Sequence, residues 1–288
     1  MPGSMRELPL RHAAILGLLH GPTELLPISS SAHTTLVPWL AGWPYGELDP
    51  RLRKSFEVAL HTGTALALLL RPPHERQCMR RGFLVAALAP PAVAGYVLGG
   101  QIEQRLGTPA KIVAGLLAGS AAMGSAEVYK KWHAPRARGG HRHFGSNTAP
   151  AEIDVTRPTA SDGLALGVAQ ALALIPGVSR SGATLAAASA RGFSRQDADQ
   201  LSWTVGLPVI AGATLLQGRR LAYQQARADR PRKTAMVLAV GATSAFLSTL
   251  ASSKALNRRR RARLLPACIA YRGVLAAYVI RHMRDNTC

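Results

Sequence analysis

Cysteine is close to absent. The three in this 288-residue chain, Cys78, Cys268 and Cys288, are scattered and supply neither a disulfide framework nor a thiolate metal cluster. Acidic residues are also scarce: 15 Asp plus Glu stand against 35 Lys plus Arg, a formal charge of +20. Taken alone, that imbalance suggests a nucleic-acid binder or a protein lying on an anionic surface. Yet charge of either sign is sparse, at 17% of residues, while 48% are hydrophobic and the mean hydropathy is +0.07. That composition excludes a disordered basic tail.

The charges bunch into short blocks between long apolar windows. The pair Arg80-Arg81 precedes a charge-free stretch over 82–100, and similar windows run 112–126, 201–218, 234–253 and, with Arg272 inside, 264–280. A bilayer core takes about 20 apolar residues as helix, so several windows are long enough and the chain reads as an all-α polytopic membrane protein. A soluble bundle of buried Ala-rich helices is the competing reading, but it rarely hides so many helices on every face. The abundant Ala and Gly suit close helix approach in lipid. Residues 1–19 have a basic start and an apolar stretch, like a signal peptide, but no small-residue cleavage site follows; they are read as mature sequence. Without a basic soluble domain, nucleic acid is not an expected partner; the basic loops, 258–263 above all, face membrane lipids.

Two windows are too polar for plain spans. Residues 25–46 carry no charge but hold Pro27, Ser29, Ser30, Ser31, His33, Thr34 and Thr35, and residues 163–190 hold Arg180 within IPGVSRSGAT. Proline and glycine break any helix there, and broken backbone at membrane depth is tolerated only inside protein or along a polar cavity. Re-entrant hairpins are expected at about 12–40 and 163–190. At an offset of 150 residues Gly17 matches Gly167, Ser29 matches Ser179, Ser31 matches Ser181, Ala32 aligns with Gly182 and Thr34 matches Thr184. The expectation is an inverted-topology repeat, each half a re-entrant helical hairpin plus about three transmembrane helices. The first half is placed at 1–130, a basic flexible linker at 131–160 and the second half at 161–288. Within the linker, His141 and His143 read as solvated rather than metal-bound.

A lone arginine in an apolar window costs roughly 2.5–3.5 kcal/mol on insertion scales and marks a function by default. Arg180 lies among Ser179, Ser181 and Gly182, where backbone N–H groups can turn toward one point at the start of a helix, a construction suited to phosphate. The alternative is an arginine that caps the carbonyls of the broken backbone. Beside the first window Glu24 is an acid in a near-apolar stretch, suited to a divalent cation that neutralises diphosphate oxygens. Ser30 and His33, three apart, share a helical face, as a nucleophile and base would, although His33 alone also suits hydrogen-bonded packing. His20, one turn before Glu24, shares its face and can orient it or share its ligand.

Four blocks carry a resemblance: GLLHGPTELLPISSSAH (17–33), KSFEVALHTG (54–63), GVAQALALIPGVSRSGATLAAASARGFSRQDADQLSWTVGLPVIAGA (167–213) and PACIAYRGVLAAYVI (266–280). In order and spacing they resemble the bacitracin-resistance family of undecaprenyl-diphosphate phosphatases, and the linker is the main unmatched part. The resemblance implies a multi-pass enzyme of the bacterial cell membrane that removes the terminal phosphate of undecaprenyl diphosphate, recycling the lipid carrier for cell-wall synthesis. It implies that Glu24 is an acid of the family's glutamate-rich motif, Ser30 the nucleophile and His33 its partner. Ser29, Ser31, Ser179, Arg180, Ser181, Gly182 and Thr184 are expected around the phosphate. The implied cofactor is a divalent cation, Mg2+ or Ca2+, at Glu24 and His20.

Three positions depart from the family, which usually has Glu or Gln at His20, Gly at Ala32 and Gln at His61. His20 in place of a carboxylate removes a hard oxygen ligand, so weaker or rearranged magnesium binding is expected. The expected reaction has Ser30 attacking the terminal phosphate while His33 takes its proton; a metal-activated water as nucleophile is the variant. The rival reading is a polyprenyl-phosphate transporter that uses the same phosphate site without hydrolysis.

Overall fold

The computed structural model describes residues 8–70, 79–133, 158–225, 231–256 and 258–285. His141, His143, Cys78 and Cys288 lie outside them, as does most of the expected linker. The described residues form helices and no strand: α1 (Leu10–Leu25), α2 (Ser30–Leu40), α3 (Pro50–Leu70), α4 (Arg81–Leu106), α5 (Pro109–His133), α6 (Ala160–Leu172), α7 (Arg180–Ala190), α8 (Arg195–Gln225), α9 (Pro231–Ala255) and α10 (Arg258–Asp285). Two short helices followed by three long ones thus occur twice.

Among the described residues, five helices are long and apolar enough to cross a membrane: those over Arg81–Ile102, Pro109–Tyr129, Arg195–Gly218, Arg232–Ala255 and Arg263–Asp285. They coincide with the charge-poor windows. Helix α3 is of similar length, but Arg51, Arg53, Lys54 and Glu57 crowd its first two turns. Only 17% of the apolar stretch of α4 is buried inside the protein, and Val85, Val93, Tyr96 and Val97 point outward. Apolar surface of that extent suits contact with lipid.

The helix breaks follow from local chemistry. Pro27 disfavours the helical region for the residue before it, and Leu26 accordingly turns extended, with φ −97° and ψ 152°, ending α1. In the second break, Gly177 takes φ +94°, a conformation open to glycine at no steric cost. A serine side chain then caps each following helix: Ser29 accepts from the Ala32 N–H at 3.4 Å and Ser179 from the Gly182 N–H at 3.3 Å.

The first short helix of each run of five packs on the fourth helix of the other run, α1 on α9 and α6 on α4. Glycines permit the approach. A Cβ at Gly17 would stand 2.6 Å from the Gly241 carbonyl oxygen, and one at Gly163 would stand 2.4 Å from that of Phe83. Neither gap admits a side chain, which is how small residues hold helices together in lipid.

Arg272, midway along α10, joins the two breaks. It is fully buried and donates to the Pro27 carbonyl at 3.3 Å in the first break and the Gly177 carbonyl at 3.0 Å in the second. The same guanidinium reaches Leu116 O and Ser120 Oγ of α5, each at 2.9 Å. The capping of broken backbone considered for Arg180 is therefore done by Arg272. Arg272→Met strands two buried carbonyls, at about 1–3 kcal/mol each. Unfolding in detergent should show a loss of roughly 2–6 kcal/mol, with Arg272→Lys falling between because its single ammonium cannot serve both breaks.

Candidate active site

The two turns bring their first helical residues to one acid. Ser30 opens α2 and its hydroxyl donates to Glu24 Oε2 at 2.6 Å. Arg180 opens α7 and its Nη2 pairs with Glu24 Oε1 at 3.2 Å. Glu24 sits at the end of α1 and is buried, as is Ser30. One carboxylate thus uses an oxygen on each of the two groups proposed for chemistry, and its remaining lone pairs stay available.

The turns are built alike at the 150-residue offset. Ser29 and Ser31 hydroxyls lie 3.2 Å apart, as do those of Ser179 and Ser181. Thr34 donates to the Ser30 carbonyl at 2.8 Å and Thr184 to the Arg180 carbonyl at 2.9 Å. In the shared frame Ser30 and Arg180 occupy corresponding positions. Ser29 has φ +72°, the one positive φ outside glycine among the described residues, a conformation of the kind found at functional sites.

His33 stands elsewhere than expected. Its Nδ1 lies 2.7 Å from the Ser29 carbonyl oxygen and its Nε2 lies 2.7 Å from the Tyr271 hydroxyl. In the neutral ring Nδ1 must donate to the carbonyl, so Nε2 accepts from tyrosine. Neither nitrogen is left for Ser30, whose proton acceptor in this structure is Glu24. His33 instead holds the carbonyl of the strained Ser29.

A cavity of about 250 Å³ opens beside these groups. Glu24, Ser29, Ser30, Ser31, Ser179, Arg180 and Ser181 line it. Thr184 is fully buried and bonded to Ser202 Oγ at 2.6 Å, and the Gly182 N–H is spent on Ser179. These two support the turn. Val58, Val209, Ile210 and Ala213 supply an apolar wall, and Lys54, Glu57 and Gln217 add polar groups.

Arg180 is aimed by helix α8. Its Cζ lies 5.4 Å from the Trp203 ring centroid, within cation–π range, and Nη1 donates to the Ser202 carbonyl at 3.5 Å. Gly206 makes room: a Cβ there would fall 1.7 Å from Nη1. Tyr271, Trp203 and Gly206 lie within the sequence blocks already described, but nothing in their spacing singles them out. His61, noted only as a departure, lies on α3 with Nδ1 3.3 Å from His20 Nε2. The His20, Glu24 and His61 ligand atoms all lie within 4.8 Å of one another.

The Gly206 contact gives a test. Gly206→Ala should push the guanidinium off Glu24 and weaken pyrophosphate binding by about 10-fold or more, the loss of roughly one charge-assisted hydrogen bond. Calorimetry on the detergent-solubilised protein measures the affinity below its melting temperature, which should also fall because a buried ion pair is broken.

The family described as bacitracin resistance protein BacA matches residues 13–278. The chain is similar to the undecaprenyl-diphosphatase of Geobacter sulfurreducens, 36% identical over 89% of this chain and 92% of the relative. It is similar to that of Pelobacter propionicus, 34% identical over 94% of this chain and 96% of the relative, and to that of Moorella thermoacetica, 33% identical over 93% and 95%. A match across nearly all of its length, together with the Glu24, Ser30 and Arg180 constellation, places this chain in the bacitracin resistance protein BacA family.

Proposed function

We propose that this protein is an undecaprenyl-diphosphatase of the bacterial cell membrane, releasing the terminal phosphate of undecaprenyl diphosphate to regenerate the lipid carrier of cell-wall synthesis and so confer bacitracin resistance. The observation that carries the mechanism is the Ser30 hydroxyl bonded to Glu24 beside Arg180. The carrier reading is set aside, since the relatives bear a hydrolase's name and a hydroxyl held on a carboxylate serves bond cleavage rather than passage.

In the proposed reaction the isoprenoid tail stays in the lipid and the diphosphate enters the cavity. Arg180, with N–H donors to spare, takes the terminal phosphate together with the Ser29, Ser31, Ser179 and Ser181 hydroxyls, and stabilises charge that spreads over its oxygens in the transition state. Ser30 Oγ attacks the terminal phosphorus while its proton passes to Glu24 Oε2. The bond to the bridging oxygen breaks and undecaprenyl phosphate leaves. Water then hydrolyses the phosphoserine. His33 keeps Ser29, and through it the start of α2, in place.

A divalent cation is the proposed cofactor, with Glu24 and His20 among its proposed ligands; it would neutralise phosphate oxygens when bound. The inverted arrangement of halves 1–130 and 161–288 belongs to the same proposal. It is supported by the repeated helix order, the exchanged packing of α1 and α6, and the matched turns.

Phosphate release from undecaprenyl diphosphate by purified protein is the test. Arg180→Ala should lower kcat on the order of 10²–10³-fold, and Ser30→Ala at least as much. Retained turnover in both variants would overturn the site. His33→Ala should lower kcat while keeping the acidic limb of the pH profile, because its ring positions Ser29; disappearance of that limb would restore His33 as the base.

A further inference from the structure

Two imidazoles and a carboxylate converge behind the proposed phosphate site. His20 and Glu24 are one turn apart on α1, and His61 comes to them from α3 with its ring at 83° to that of His20. Hydrogen bonding alone does not account for the group. The His20–His61 contact uses one nitrogen of each ring and leaves His20 Nδ1 buried with no partner. An ion held through Nε2 fixes the proton of the neutral ring on Nδ1; it is the spacing of Nε2, the His61 nitrogen and the Glu24 oxygen that points to a ligand.

The spacing matches coordination. His20 Nε2 and His61 Nδ1 are 3.3 Å apart, and two nitrogens at about 2.0–2.1 Å from one tetrahedral ion stand about 3.3 Å apart. Glu24 completes a set of three, and Glu24 and His61 both face the cavity that holds Arg180. Three protein ligands with the fourth position open toward a cavity is the plan of a catalytic rather than a structural metal site. The donor chemistry chooses the ion. Mg2+ and Ca2+ take oxygen donors, whereas imidazole nitrogen suits Zn2+ and the neighbouring transition metals.

We propose that His20, Glu24 and His61 form a three-ligand site for a divalent transition-metal ion of the Zn2+ class, in place of the Mg2+ or Ca2+ that family resemblance implies. This deepens the phosphatase reading and rests on it for one point only, that the open position faces a phosphate oxygen.

Metal-stripped protein in detergent, titrated with Co2+ at neutral pH, should bind one equivalent and show the intense visible bands of a low-coordinate, nitrogen-ligated ion. Zn2+ should bleach those bands at equal concentration and raise the melting temperature, and Mg2+ at the same concentration should do neither. His20→Glu and His61→Gln should each weaken Co2+ binding by about 10–100-fold or more, taking the cost of losing a supporting partner as a lower bound. Only the pale spectrum of octahedral Co2+, or displacement by equimolar Mg2+, would overturn the proposal. If either variant fails to fold, the Zn2+-dependent melting shift of the unaltered protein decides: its absence overturns the site. Phosphate release measured on the same samples separates the two readings. Turnover with Mg2+ and no Co2+ binding overturns the metal assignment and leaves the phosphatase; Co2+ binding with no turnover under any ion does the reverse.

Discussion

The structure depends on how two interruptions of the backbone are satisfied in the buried interior of the protein, where water is scarce. Each break exposes a carbonyl that no helix can use, and each would be costly alone. One guanidinium answers both: Arg272 donates to Pro27 and to Gly177 while gripping α5. A planar fork with five donors can do this, and a compact ammonium cannot. The tie fixes the starts of α2 and α7 relative to each other, and those starts carry Ser30 and Arg180. The geometry of the proposed chemistry is thus set by a residue that takes no part in it.

The two turns are one device used twice with different residues at the decisive position. The serine cap, the paired hydroxyls and the threonine bond back to the helix are the same on both sides. At the first helical residue, one copy carries an oxygen that can attack and the other a cation that can hold an anion. Glu24 has no counterpart in that exchange and bridges the two, so the proposed site exists only where the two turns meet.

Much of this was legible in the sequence, for physical reasons that can be named. A membrane forces charge out of spanning helices, so the windows beginning near residues 82, 112, 201, 234 and 264 mark five helices that the structure places close to the same limits. Proline and glycine at Pro27 and Gly177 mark the breaks, and Arg180 stands out because nothing else in its window is charged. Partner choice was not legible. Ser30 and His33 share a helix face by spacing, but Tyr271, well over two hundred residues away, occupies the histidine and Glu24 takes the serine. Arg272 was visible as a buried charge, whereas the carbonyls it serves are set by tertiary packing. His61 drew notice only by departing from the family, and its meeting with His20 depends on how α3 lies against α1.

The place of Arg272 along the chain sets an order on assembly in the cell. Chains emerge and fold from the N-terminus forward during synthesis, and Arg272 lies on α10, which follows both turns in the chain. Until that helix enters the bilayer, the turns after α1 and α6 have no common donor, and Ser30 and Arg180 are not held across from one another. A nascent chain halted before α10 therefore carries every residue of the proposed reaction without the geometry to perform it. Insertion of α10 is then the step that sets the two groups of the proposed reaction across from one another.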